Sequence, residues 1–120
     1  MSSIDLVQGV ASWGLRLEHQ RILSFSANVA NANSASPKVF GENLVETFQH
    51  MQGVLHSRNE QTIARETASG FEISERDSLE PIALDQQVAN MVEAESRFKA
   101  LVEMINRKSA LKNAVMMTQR

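Results

Sequence analysis

Cysteine and tyrosine are absent from this chain of 120 residues, tryptophan occurs once, proline twice and glycine five times. Without cysteine there is no disulfide, no thiol nucleophile and no thiolate ligand for a metal. Aromatic residues make up 5% of the chain against a hydrophobic fraction of 42%, so the large rings that usually anchor a compact core are scarce. Leu, Val, Ile, Ala and six Met remain, a set suited to packing helix on helix. No charge of one sign dominates: 12 Lys plus Arg stand against 14 Asp plus Glu, a formal net charge of -2. A dedicated nucleic-acid binder usually carries a strongly basic face, and no nucleic-acid partner is expected here. No window reaches the roughly 18 consecutive apolar residues that span a bilayer. The start, Met1-Ser2-Ser3-Ile4-Asp5, has neither a basic n-region nor an apolar run, which reads against a cleaved secretory signal.

Catalytic and metal chemistry finds little to work with. His19, His50 and His56 stand at unrelated spacings. Glu46 and His50 are four apart on a plausible helix, as metal ligands sometimes are, but no second pair accompanies them. A di-iron helix bundle would repeat Glu-x-x-His, and the chain contains none. There is no Gly-x-Ser-x-Gly elbow and no glycine-rich phosphate loop. Glu93 and Glu95, two apart, fall on different helix faces. Arg107, Lys108, Lys112 and Arg120 suit a helix C-terminus, and Met104, Met116 and Met117 read as adaptable packing. The expectation is no enzyme activity, no cofactor, no metal and no small-molecule substrate.

What the chain does contain is two long periodic segments. From Ile4 to about Asn33 there is no proline, and Leu6, Val10, Trp13 and Leu17, then Leu15, Ile22 and Val29, fall at helical spacings. Gly9 and Gly14 each weaken that helix by about 1 kcal/mol relative to Ala. From Leu84 to about Met117 there is neither Gly nor Pro. Leu84, Met91, Phe98 and Ile105 recur every seven residues, with Val88 and Val102 in a second row that Glu95 interrupts. Leu101, Leu111, Ala114 and Val115 widen the apolar face toward the end. A seven-residue repeat keeps one seam facing a partner helix. Between the two, Ser34-Ala35-Ser36-Pro37 breaks the first helix, and Leu44, Phe48, Met51 and Leu55 predict a short amphipathic helix. From Ser57 to Glu80 the chain is mostly polar, with isolated Phe71 and Ile73; a short hairpin and a flexible loop fit it equally.

The expected fold is therefore all-α. Long N- and C-terminal amphipathic helices (1–36 and 83–120) pair as a coiled coil around a variable middle segment (37–82), within one module spanning 1–120. Such helices, about 45 and 50 Å long at about 1.5 Å per residue, carry apolar stripes wider than their mutual pairing covers. Helical stability in water comes mostly from packing such a face, which points to other chains as the missing partners. A self-contained three- or four-helix bundle fits the periodicity equally.

One local pattern is more specific. Ala27-Asn28-Val29-Ala30-Asn31-Ala32-Asn33 alternates small residues with three Asn, and Asn28 and Asn31 share a face. Alone it reads as a helix C-terminus rich in capping residues. It also resembles the Ala-Asn-Ile-Ala-Asn-x-Asn/Asp signature of bacterial flagellar rod and hook proteins, preceded as there by an amphipathic segment with Leu17, Gln20, Arg21 and Ile22. The stretch from Leu84-Asp85-Gln86-Gln87-Val88-Ala89-Asn90-Met91 through Phe98-Lys99-Ala100-Leu101 to Ile105-Asn106-Arg107-Lys108 is similar to the corresponding end of the proximal-rod proteins. The matching segments cover roughly half the chain, whose shortness fits the smallest, B-type, members. Where the family continues Thr-Pro-Gly-Tyr, this chain has Ser34-Ala35-Ser36-Pro37-Lys38-Val39-Phe40.

The resemblance implies a structural subunit of the proximal rod of the flagellar basal body, exported by the flagellar type III apparatus without a cleaved signal peptide and located in the periplasmic rod. It implies as partners copies of the chain itself, other rod proteins, and basal-body ring and export-gate components. The expected assembly interface comprises Leu15, Ile22, Val29, Leu84, Val88, Met91, Phe98, Leu101, Val102 and Ile105, with the α-helical rows of the C-terminal segment packed on Leu15, Ile22 and Val29. Alternatives are a C-type rod protein, an injectisome inner-rod protein, or a soluble helical regulator or chaperone that binds one partner helix.

Overall fold

Seven-residue rows in the two terminal segments build the two longest elements of the structure, a computed structural model that describes residues 3–34, 36–70, 72–78 and 80–118. In chain order these elements are α1 (Ser3–Asn31), β1 (Lys38–Phe40), α2 (Asn43–Ser57), α3 (Glu60–Ala68), β2 (Glu75–Asp77) and α4 (Leu84–Thr118). Ala35, Phe71 and Arg120, named above, lie outside the described residues.

α1 and α4 run antiparallel, as their cross-contacts require. Asp5 pairs with Lys112, and Gln8 Nε2 donates to Ser109 Oγ at 2.8 Å. Arg97 Nε donates to Glu18 Oε1 at 3.0 Å, and Asn28 Nδ2 donates to Gln87 Oε1 at 3.0 Å. On α1 the seam consists of the rows Gln8, Leu15, Ile22, Val29 and Ala11, Glu18, Phe25. On α4 it consists of Met91, Phe98, Ile105, Lys112 and Gln87, Ala94, Leu101, Lys108. Alternating steps of three and four are the coiled-coil repeat.

The second row of α4 corrects the sequence reading, which placed Val88 and Val102 there. Both are exposed, at 44% and 36%. Leu84, in the first turn of α4 and level with the end of α1, is exposed as well. The row that faces α1 begins one residue earlier, and its centre is Ala94, buried completely. Two long helices approach most closely where the facing side chain is small. At Gly14 an added Cβ would make only an ordinary contact, 3.4 Å from Leu101 Cδ1.

The opposite face of α1 carries the core. Trp13 and Leu17 cluster with Leu44, Met51 and Val54 of α2 and Ile63 of α3, and Leu6 and Val10 pack against them. α1 is thus the central helix, with α4 on one side and α2 and α3 on the other. The amphipathic helix expected around Leu44 to Leu55 is α2.

The stretch 57–80, expected as a loop or hairpin, is the second correction. Arg58 ends α2 in the left-handed region (φ 56°), and Asn59 starts α3 by accepting the Thr62 N–H on Oδ1 at 3.2 Å. β2 does pair antiparallel, but with β1 across the intervening helices: Lys38 opposes Asp77, Val39 opposes Arg76 and Phe40 opposes Glu75.

The molecule measures 63 × 26 × 18 Å with a radius of gyration of 17.5 Å, against about 13.5 Å for a compact domain of this length. Among the described residues eight apolar side chains are buried, whereas fourteen large ones are exposed. A three-helix core forms, but it leaves most of the apolar surface of α4 uncovered.

Candidate assembly surface

Three features of the surface carry chemistry that packing alone does not explain: the Asn motif, a buried carboxylate, and two apolar flanks.

Asn28 and Asn31 do not cap α1. Their amides clasp the backbone of β1 instead. Asn28 Oδ1 accepts the Phe40 N–H at 2.7 Å, and Asn28 Nδ2 donates to Phe40 O at 3.3 Å. Asn31 Nδ2 donates to Lys38 O at 3.1 Å. In a strand, alternate residues turn their backbone groups to opposite edges. Pro37 and Gly41 bond Ser78 and Ser74 on the β2 edge, while Lys38 and Phe40 turn to α1. The two Asn side chains therefore act as a second neighbouring strand for β1. Because Asn28 also bonds Gln87, one buried amide joins α1, β1 and α4. Ala27 and Ala32 are half-buried beside it, and Ala30 and Asn33 are exposed.

Asn28→Ala should cost about 2–3 kcal/mol of stability, since three bonds worth about 0.5–1.5 kcal/mol each are lost in a buried setting. Amide exchange at Phe40 should accelerate along with the drop in the urea midpoint. A protected Phe40 amide in that variant would show that the clasp does not hold the strand.

Glu18 is a buried charged residue of the α1–α4 seam, 5% exposed. Its Oε1 accepts from both Arg21 and Arg97, at 3.0 Å each, while its buried Oε2 has no partner among the described residues. Arg97 also meets Glu93 at 3.2 Å, so the four-residue cluster is formally neutral. A polar residue in a coiled-coil seam fixes register, and only one alignment of α1 and α4 brings Glu18 to Arg97. Farther away, Asn43 accepts from the Ser74 N–H and Oγ and donates to Glu72 O, tying α2 to the segment that leads into β2. Arg76 pairs with Glu42; the hydrogen bond and then the charge of Glu42 raise the guanidinium above its ordinary value.

The apolar surface lies on both flanks of α4. Leu84, Val88, Val92 and Val102 occupy one flank, and Met104, Leu111 and Val115 the other, all exposed. Of the residues expected at an assembly interface, Leu15, Ile22, Val29, Met91, Phe98, Leu101 and Ile105 are half-buried along the α1–α4 seam of the chain itself. Phe98 sits beside His19, ring centroids 6.3 Å apart. Leu84, Val88 and Val102 face outward.

Between α2 and α4, which do not pack on each other, α1 floors an apolar groove of ≈ 400 Å³. The groove is a feature that periodicity did not reveal, because it depends on how far α2 stands from α4. Glu46 and His50 line a separate hollow, and His50 lies 3.4 Å from Glu66. Among the described residues no group of three His, Cys, Asp or Glu converges to hold a metal ion, and no helix is long and apolar enough to cross a membrane.

Comparisons with family models, with curated proteins and with solved structures find no match to this chain.

Proposed function

We propose that this chain is a structural subunit of the proximal rod of the bacterial flagellar basal body, most like its B-type component, and that it works by helix packing without a catalytic step. The observation that carries the reading is the uncovered apolar surface on a rod-shaped subunit. Among the described residues fourteen large apolar side chains are exposed against a core of eight buried ones, on a body 63 Å long. Large apolar side chains exposed along the flanks of α4 suit a protein interface. The Ala-Asn motif and the similarity of the 84–108 stretch to proximal-rod proteins supply the identity of the assembly. A subunit whose contacts join different faces generates an open helical array, the geometry a drive shaft needs. The partners on this reading are copies of the chain, other rod proteins, and ring and export-gate components, reached by type III export.

The α2–α4 groove favours a second reading from a different class, a helical regulator or chaperone that binds one partner helix. That reading expects a stable monomer or dimer and no polymer. A clean deletion of the gene, followed by motility assay and electron microscopy of basal bodies, separates the two. The rod reading expects loss of swimming with rods and hooks absent, restored by the gene alone. Intact flagella on the deletion strain would overturn it.

A further inference from the structure

α4 carries a second coiled-coil row, on the side away from α2. Val88, Val92, Glu95, Lys99, Val102 and Asn106 follow one another in steps of four and three, the spacing that keeps one line of side chains facing a partner helix. All six are exposed, and among the described residues α4 packs on α1 and on no other element. Leu101 and Met104, which line the groove toward α2, lie on the other flank. Val88 to Asn106 covers eighteen residues, or about 27 Å of helix. Leu23 of α1, one turn on from the His19 that meets Phe98, is exposed beside the row and widens this face.

The charges within the row select its occupant. Glu95 and Lys99 make no ion pair or hydrogen bond among the described residues. Glu93 with Arg97 and Glu103 with Arg107 do pair at the same four-residue spacing on this helix. Reversed end for end, the order Val-Val-Glu-Lys-Val matches itself. Set antiparallel on a second copy about a two-fold axis at the level of residue 97, the row puts Val92 opposite the second copy's Val102. The same register puts Glu95 opposite the second copy's Lys99, and symmetry repeats both pairs. A slip of one heptad instead sets Val88 against Lys99 and Val92 against Glu95, which matches apolar with charged throughout. Parallel pairing in register sets Glu95 on Glu95 and Lys99 on Lys99, and like charges facing each other across an interface repel. Of these alignments, the antiparallel two-fold one alone joins valine to valine and carboxylate to ammonium.

We propose that two copies of this chain pair through this row, α4 against α4 and antiparallel, with reciprocal Glu95–Lys99 contacts about the two-fold axis. Val92 and Val102 of both copies supply apolar burial. The charge pairs gain little net free energy on burial and serve to fix orientation and register. A two-fold contact of this kind closes on itself, so the inference goes beyond the rod reading and describes the chain in solution. It leaves the flank of Met104, Leu111 and Val115 free for other contacts.

Sedimentation equilibrium of the full chain should show a monomer–dimer transition. Glu95→Lys and Lys99→Glu each turn both charge pairs into like-charge contacts, and each should weaken the dimer at least about ten-fold. Mixed in equal amounts, the two variants should recover it, because their heterodimer restores both pairs. Both positions are exposed, so circular dichroism melts at monomeric concentrations should match the parent. Orientation is read separately, in a chain that has no cysteine of its own. Val92→Cys mixed with Val102→Cys and oxidised mildly should give disulfide-linked heterodimer in excess of both homodimers together. Homodimers in excess would mean parallel pairing and would overturn the proposal. So would a chain that stays monomeric at every concentration, or a dimer indifferent to both charge reversals. Each of those results leaves the rod reading standing, since the deletion strain tests it separately.

Discussion

Gly41→Ala should lower the stability of the protein by about 2–5 kcal/mol, the combined cost of a strained backbone and an overpacked side chain. Gly41 follows β1 directly, at φ +89°, and a Cβ there would lie 2.5 Å from Ser24 Oγ and 2.6 Å from Ser24 Cβ. Ser24 has nowhere to go: it is 2% exposed, and its Oγ donates to Gln20 O at 2.8 Å. Two hydrogen bonds also meet at Gly41, whose N–H donates to Ser74 O at 2.9 Å and whose carbonyl accepts the Leu44 N–H at 3.1 Å. The residue thus ends the strand, begins α2 and touches α1. Gly53→Ala is the matched control with the opposite sign. It lies inside α2 with nothing within 4 Å of an added Cβ, so alanine there should stabilise by about 0.5–1 kcal/mol. Urea titrations of both variants decide the matter. Equal midpoints for the two would mean that Gly41 is not under the constraint that its φ and the Ser24 contact describe.

Gly41 also marks where sequence reasoning stopped. The terminal helices were legible because seven-residue spacing is a property of the chain alone: the expected segments from Ile4 to Asn33 and Leu84 to Met117 match Ser3–Asn31 and Leu84–Thr118 closely. Their pairing was legible for the same reason, down to the row Met91, Phe98 and Ile105. The second row was misread because Val88 is more apolar than Gln87, and apolarity was taken as the guide to burial. At this seam closeness decides instead, and Ala94 is the residue that permits it. α3 was missed because Glu60–Ala68 buries only Ile63 and Thr67; the signal available was Asn59 as an N-cap, with Glu60 in the first turn. The Asn motif was recognised as special, but its role was not. Clasping β1 depends on a strand that three residues, Lys38–Phe40, form only because β2 comes back to them from 35 to 39 positions away. Glu18 gave no signal at all, since a carboxylate in an apolar row reads as an interruption until Arg21 and Arg97 are placed beside it.

On the proposed rod reading, a double substitution, Val88→Glu with Val102→Glu, should abolish rod assembly and swimming while leaving the isolated chain folded. Both side chains lie outside the α1–α4 seam, and surface substitutions away from packed features usually change stability by no more than about 0.5 kcal/mol. Glu is also a better helix former than Val. In an assembled rod the same positions would be covered, and each copy would bury two carboxylates without partners at a cost of several kcal/mol. Repetition along a helical array multiplies that cost, so the expected result is all-or-none. Phe98→Glu is the instructive contrast. Because Phe98 packs beside His19 within the chain's own seam, a carboxylate there should destabilise the subunit itself by about 2 kcal/mol or more. Its loss of motility would not distinguish folding from assembly. Circular dichroism melts of the purified chains, read beside swimming halos and electron micrographs of basal bodies, make the distinction. A Val88→Glu, Val102→Glu strain that swims and builds rods would exclude the Leu84–Val102 flank of α4 from the subunit contacts. Assembly would then have to run through the opposite flank, where Met104, Leu111 and Val115 are exposed.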